Sequence, residues 1–291
     1  MKLEYFFILL IICFLTSCAN IEAESKNYIS DVSIKADKLS CDGILMENYT
    51  GTIDKSEFFY GESIKMFYDN ITGFTLKDSL VYPEMDIFIM NKKGDTIMSN
   101  PNLFKDKNSG FTEADLRLRS ELTFANPMFP NNDYILNINI RDKHSDAYFI
   151  LNKNFSVIHS TLLKMKTEGL TYDIQYLFSN SRKVAVLDNK IKRNEIVYLL
   201  IHNLKGYDVD AYGQADILAS IRLTDADGNL INENTDLFPN LVNATDLKEQ
   251  LYASIQLTGK SFKNPVTCVF KIKDNNSSHN LETTFNLTVE D

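Results

Sequence analysis

Leu281-Glu-Thr-Thr-Phe-Asn-Leu-Thr-Val289 sets Leu281, Thr283, Phe285, Leu287 and Val289 in alternation with a polar series. Successive side chains of a strand point to opposite faces, so a period of two predicts a strand packed on one side and wet on the other. The pattern recurs upstream. Leu116, Leu118, Leu122 and Phe124 alternate with Arg117, Arg119, Glu121 and Thr123. Leu136, Ile138 and Ile140 alternate with Asn137, Asn139 and Arg141, and Leu251, Ala253, Ile255 and Leu257 with Tyr252, Ser254 and Gln256. Antiparallel sheets with one solvated face read this way. Short helical turns fit only at 112–115 and 243–248, inside long connections.

The strands come in two sets, because the chain repeats itself. Lys38 to Ile44 lines up with Lys164 to Leu170. Glu62 then matches Glu195, Asn70 matches Asn203, Gly73 matches Gly206, and Phe74 matches Tyr207. Ile87, Gly94, Ile97, Asn100 and Leu103-Phe104 match Ile221, Gly228, Ile231, Asn234 and Leu237-Phe238. Ile140-Arg141-Asp142 matches Ile272-Lys273-Asp274. A period this long exceeds that of solenoid repeats, so it predicts two domains of one fold. About seven strands in each unit predicts two tandem immunoglobulin-like antiparallel β-sandwiches arising from an internal duplication. The expected division is 1–17 as a signal peptide, 18–31 as a tether, 32–157 as the first sandwich and 158–291 as the second. Gly94 and Gly228 sit between strand-like runs, where a hairpin needs a residue with positive φ.

Composition narrows the function classes. The chain has 291 residues, 44% hydrophobic and 24% charged, with a formal net charge of −9. That excludes disorder as the main state and argues against a phosphate-backbone footprint, which needs a basic face. Eleven Gly, four His and no Trp leave little material for phosphate loops or His-rich metal sites. No cofactor and no catalytic residue are expected. Gly259-Lys260-Ser261 lacks the first glycine of a phosphate loop, since Ser254 holds that position. His144 and His279 fall in polar stretches that read as hairpin loops.

Phe6 to Leu15 is an apolar run too short to span a bilayer and of the length of a signal-peptide core. Leu15-Thr16-Ser17-Cys18 follows it and resembles a bacterial lipobox. In lipoproteins that resemblance implies cleavage before Cys18 and lipidation of Cys18 with palmitate-type chains. Glu22 and Glu24 behind it resemble the acidic surface-export signals of Bacteroidota lipoproteins, and equally suit a solvated linker. Cys41 and Cys268 remain in the mature chain, and whether they pair is left open.

Two site candidates stand out. Asp225, Asp227 and Asn229 resemble the start of a calcium loop, but the twelfth position holds Asp236, not Glu, and the duplicate carries Lys92 and Lys93, so a plain turn is favoured. Tyr207 and Tyr212 are the candidate sugar-stacking rings. Asp78-Ser-Leu80 and Asp95-Thr-Ile97 also resemble the short O-glycosylation motif of Bacteroidota envelope proteins. The chain as a whole resembles tandem-domain lipoproteins of the Bacteroidota envelope. The resemblance implies a binding or scaffolding protein on the outer membrane, its leaflet undecided, that holds an envelope protein by loops or an exposed sheet edge. The alternatives are a surface glycan-binding lipoprotein and, behind it, a hydrolase with a hidden site.

Overall fold

The computed structural model describes residues 28–107, 109–259 and 262–290. The signal peptide, Cys18 and most of the expected tether lie outside the described residues. The first sandwich comprises β1 (Val32–Asp37), β2 (Gly43–Asn48), β3 (Gly51–Thr52), β4 (Glu57–Phe59), β5 (Ser63–Asp69), β6 (Pro83–Asn91), β7 (Thr96–Asn100), β8 (Leu118–Thr123), β9 (Asn132–Asp142) and β10 (Tyr148–Ile158). The second comprises β11 (Lys164–Glu168), β12 (Ile174–Ser179), β13 (Val184–Ala185), β14 (Lys190–Lys192), β15 (Ile196–His202), β16 (Gln214–Ala215), β17 (Ile217–Thr224), β18 (Leu230–Asn234), β19 (Val242–Asn243), α1 (Ala244–Glu249), β20 (Leu251–Gln256), β21 (Val266–Asp274) and β22 (Asn280–Glu290).

The chain is all-β, and the two sandwiches share one topology. One sheet runs β1-β10-β9-β6-β7 in the first and β11-β22-β21-β17-β18 in the second. The facing sheet runs β3-β2-β5-β8 in the first and β13-β12-β15-β20 in the second. In each, a short strand joins the last long strand in parallel, β4 on β10 and β14 on β22. The alternating series lie where the period placed them: Leu281, Thr283, Phe285, Leu287 and Val289 are buried, as are Leu251, Ala253 and Ile255. Each sandwich has its own apolar core. Cys41 is buried in the first and Cys268 in the second, so the two do not pair with each other. Burial pushes the Cys268 thiol up, so it stays protonated and serves as a packed apolar side chain.

The expected helical turns form at both places. Thr112 caps a 3-10 turn at Glu113–Asp115, and Asn243 caps α1 by accepting from the Thr245 amide at 2.8 Å. The first segment of the repeat aligns differently in space from its alignment in sequence. Lys38 stands opposite Gly169, not Lys164, because both follow the first strand and both have positive φ, 63° and 73°. Gly73 and Gly206 are required by close approach. A Cβ on Gly73 would lie 2.0 Å from the Lys38 carbonyl oxygen, and one on Gly206 would lie 2.2 Å from that of Gly169.

Tyr28 to Asp31, placed in the tether from sequence, are packed onto the first sandwich. Ile29 joins its core, and the Tyr28 hydroxyl donates to the Cys41 carbonyl at 2.8 Å. Lys153 is 1% exposed, and its ammonium donates to the Ser30 carbonyl at 2.8 Å and the Ser56 hydroxyl at 3.2 Å. The two sandwiches also meet. Tyr60 packs edge-on against Tyr176, with ring centroids 5.4 Å apart. The Tyr49 hydroxyl donates to Asp188 at 3.2 Å and accepts from the Leu187 amide at 2.6 Å, while the Arg182 guanidinium lies 4.8 Å over the Tyr49 ring.

Candidate functional site

Most polar residues that the duplication repeats turn out to hold the fold. Glu62 accepts from the Phe59 amide at 3.1 Å and from Lys55 at 2.8 Å. Its twin Glu195 accepts from the Lys192 amide and from Arg182, both at 2.7 Å. Burial works upward on the Glu195 carboxyl, but the hydrogen bonds from Ser179, the Lys192 amide and Arg182 together hold it below the usual range. Asn70 and Asn203 adopt positive φ and donate to Asp42 and Asp173. Asp142 accepts from the Thr75 amide at 2.8 Å and the Ser145 hydroxyl at 2.7 Å. Asp274 repeats this with the Asp208 amide at 3.0 Å and the Ser277 hydroxyl at 2.6 Å.

The calcium-like turn has its oxygens engaged. Asp225 accepts from the amides of Asp227 at 3.0 Å and Asn229 at 2.9 Å, and from the Asn229 side chain at 3.1 Å. Asp227 pairs with Lys263 at 2.5 Å. Tyr207 is part-buried against the second core and donates to the Ala244 carbonyl at 3.0 Å, which anchors the start of α1. Tyr212 is 88% exposed and makes no ring contact among the described residues. Neither arrangement is a pair of rings for a sugar. His144 packs edge-on to Tyr82, and His279 sits 2.5 Å from the Gly206 carbonyl oxygen, so both loop histidines are packed against neighbours.

The functional contrast appears when the outer faces of the two four-stranded sheets are compared. In the first sandwich, Leu45 pairs across from Phe67, and Glu47 from Lys65; Phe67 also faces Arg119, and Lys65 faces Glu121. The matching positions of the second are Tyr176 across from Leu200, Phe178 from Tyr198, Leu200 from Tyr252, and Tyr198 from Ser254. Four of the six positions are charged in the first face and none in the second. Four of the six are aromatic in the second. Single exposed apolar residues are ordinary, but a contiguous set on a sheet face marks a contact surface.

Part of that surface is covered within the chain. Tyr60 lies on Tyr176, and burial pushes the Tyr176 hydroxyl up to about 12. His202 stacks on the same ring, 6.0 Å away at 6°. The part farther from the first sandwich stays open. Tyr252 is 56% exposed, with its ring 5.2 Å from that of Tyr198 at 55°.

Tyr252 lies on β20, which ends its sheet and, among the described residues, leaves one backbone edge without a strand. Native edges are usually blunted by charge, proline or bulges. Its twin β8 carries Arg119 and Glu121, whereas Leu251–Gln256 contains no charge and no proline. A groove of about 420 Å³ follows this edge, lined by Phe238, Val242, Leu247, Leu251, Tyr252 and Ser254 among others. The sequence signal was the missing charge in 251–257, which is visible only beside the charged twin.

No protein-family description matches the chain, and no curated protein matches it in sequence. Among solved structures it is similar to the C-terminal domain of Wzt, at 11% identity and a TM-score of 0.32, over 47% of this chain and 83% of that one. It is similar to a DUF3823 family protein from Bacteroides ovatus at 10% identity and a TM-score of 0.23, over 74% and 95% of the two chains. It matches Bacteroides uniformis beta-glucuronidase 2 at 10% identity and a TM-score of 0.25, over 78% of this chain but only 26% of that enzyme. Likeness at this level says nothing of what the chain binds.

Proposed function

We propose that the chain is a lipid-anchored, extracytoplasmic binding protein that captures an extended segment of an envelope protein along the free edge of β20. The anchor is Cys18, and the setting is the outer membrane. The role is binding or scaffolding without turnover. The observation that carries the reading is the contrast between β20 and β8: one fold, written twice, with the protecting charges on one edge and an aromatic face on the other. Added strands bind through main-chain hydrogen bonds, while pockets for alternate side chains give selectivity. Here Tyr252 and Tyr198 would receive the outward side chains, and the groove against Phe238 and Val242 would receive the inward ones.

The test is recovery of the partner from crosslinked membranes by the native chain and by Ser254→Pro. Proline removes an edge donor and narrows the backbone, so the stoichiometric partner is expected to disappear. Arg119→Pro on the twin edge is expected to leave recovery unchanged. Equal recovery by all three would contradict strand capture.

A second reading, glycan stacking, has in its favour the Tyr198–Tyr252 pair, in which Tyr198 is half-buried and Tyr252 exposed. The 55° between those rings gives no flat platform, so protein is the preferred ligand. Retention on a polysaccharide column that Tyr252→Ala abolishes would reverse that preference.

A further inference from the structure

A second feature of the duplication points to a small ligand. Two clefts stand at corresponding places in the sandwiches. The first is lined by Tyr82, Glu84, Asn102, Lys105, Lys107 and Lys143 among others. The second is lined by Asp216, Leu218, Asp236, Pro239, Leu241 and Asn275 among others. These are the same positions of the repeat, and the same hydrogen bonds build the walls. The Lys143 amide donates to the Tyr82 carbonyl at 2.9 Å, as the Asn275 amide does to that of Asp216. The Leu103 amide donates to the Met85 carbonyl at 2.8 Å, and that of Leu237 to the Ala219 carbonyl at 2.7 Å. The Phe104 amide donates to the Asn102 side chain, and that of Phe238 to the Asp236 side chain, both at 3.1 Å.

The backbone frame is kept, the second cleft is the wider at about 350 Å³ against about 50 Å³, and the charge is inverted. Three lysines line the first cleft, and none of them makes an ion pair with a described residue. Their twins are Pro239, Leu241 and Asn275, while Tyr82 and Asn102 become Asp216 and Asp236. The one carboxylate in the basic cleft, Glu84, is held by Arg141 at 3.4 Å. Three unpaired ammonium groups in one cleft of a chain of net charge −9 concentrate positive potential locally. All three are exposed at the mouth of the cleft, where a bound anion would relieve their mutual repulsion.

We propose that the cleft lined by Lys105, Lys107 and Lys143 binds a phosphate-type oxyanion, and that its twin does not. Lysines act as separate point charges and suit a polyvalent tetrahedral anion, whereas a planar carboxylate is matched best by the arginine fork. The nearby Arg141 is committed to Glu84 and to Asp86, the latter at 2.8 Å. The cleft holds about 50 Å³, room for one small group and not for a sugar ring. Asn102 also lines the cleft, its side-chain amide donating to Glu84 at 3.4 Å.

The experiment titrates inorganic pyrophosphate into the full chain in detergent at low salt. The variant Lys105→Gln/Lys107→Gln/Lys143→Gln is expected to bind about tenfold more weakly or worse, with unchanged far-UV circular dichroism. The control Lys65→Gln/Lys164→Gln/Lys273→Gln makes the same change in net charge elsewhere and is expected to stay within about twofold. Equal loss in the control, or no pyrophosphate binding by the native chain, would overturn the proposal. Vesicles of phosphatidylglycerol in phosphatidylcholine distinguish the source of the phosphate. Lysine-dependent binding of both probes assigns it to a lipid headgroup, and of pyrophosphate alone to a soluble phosphate. Vesicle binding without pyrophosphate binding would overturn the small-site geometry.

Discussion

The ring of Tyr252 stands 5.2 Å from that of Tyr198, on neighbouring strands, where the first sandwich has Arg119 and Lys65 on the corresponding strands. An aromatic ring open to water at a sheet edge, as that of Tyr252 is, does little for the fold of one chain. Tyr252→Lys is therefore expected to shift unfolding free energy by less than about 0.5 kcal/mol, as surface substitutions do. It is also expected to abolish partner recovery, because the added charge blunts the edge. Chemical denaturation and crosslinked pull-down measure the two halves of this expectation separately. A large stability loss would make Tyr252 a structural residue instead.

The Asp142 and Asp274 latches are expected to be structural in both sandwiches. Asp274→Ala leaves the Asp208 amide and the Ser277 hydroxyl without their acceptor, at a cost of about 1–3 kcal/mol. Asp142→Ala should cost a similar amount through Thr75 and Ser145. Denaturant midpoints check both. A change under a few tenths of a kcal/mol would show that water replaces the carboxylate.

The same groups set the acid limit. Burial works upward on Asp142, Asp274 and Glu195, but hydrogen bonds to the ionised forms prevail and hold all three carboxyls low in the folded state. A carboxyl held low contributes stability that is fully present above its unfolded value, 3.8 for Asp and 4.5 for Glu, and is lost as pH falls through the folded value. Unfolding free energy is expected to be flat in this respect above about pH 5 and to fall steadily below it. The double variant Asp142→Asn/Asp274→Asn should start lower and fall less steeply. Denaturation curves at neutral pH and in acid give the comparison, and parallel slopes would contradict it.

Glycine substitutions separate close approach from mere backbone preference. Gly206→Ala puts a Cβ 2.2 Å from the Gly169 carbonyl oxygen at φ +89°, so strain and a clash add, and about 2–4 kcal/mol is expected. Gly94→Ala has φ +88° but open space, and about 1 kcal/mol is expected. Thermal melts order the two, and equal effects would contradict the backbone contact.

Much of the fold was legible because each strand declares its inward face. Thr283 fell on that face and is buried, where it bonds to Gln175 at 2.8 Å. The repeat was legible where glycine, asparagine and carboxylate positions serve geometry, as with Gly73 and Gly206. It misled at Lys38, because a lysine with positive φ does there what Gly169 does, and identity of residue type pointed elsewhere. The aromatic face was not legible. Tyr252, Ser254 and Gln256 read as a polar series along one strand, and only pairing sets Tyr252 against Leu200 and Tyr198 against Phe178. Tyr207 and Tyr212 lie near a loop in the sequence, yet Tyr207 anchors α1 and Tyr212 stands apart.

The most direct test of strand capture is photocrosslinking in intact cells from a reactive side chain placed singly at positions 119, 121, 252 and 254. Capture along β20 predicts adducts from 252 and 254 to one envelope protein. The crosslinked peptide should lie in a single extended segment, with the two attachment points two residues apart. No adducts are predicted from 119 or 121. Adducts of equal yield from both edges, or none from 252 and 254, would contradict the account.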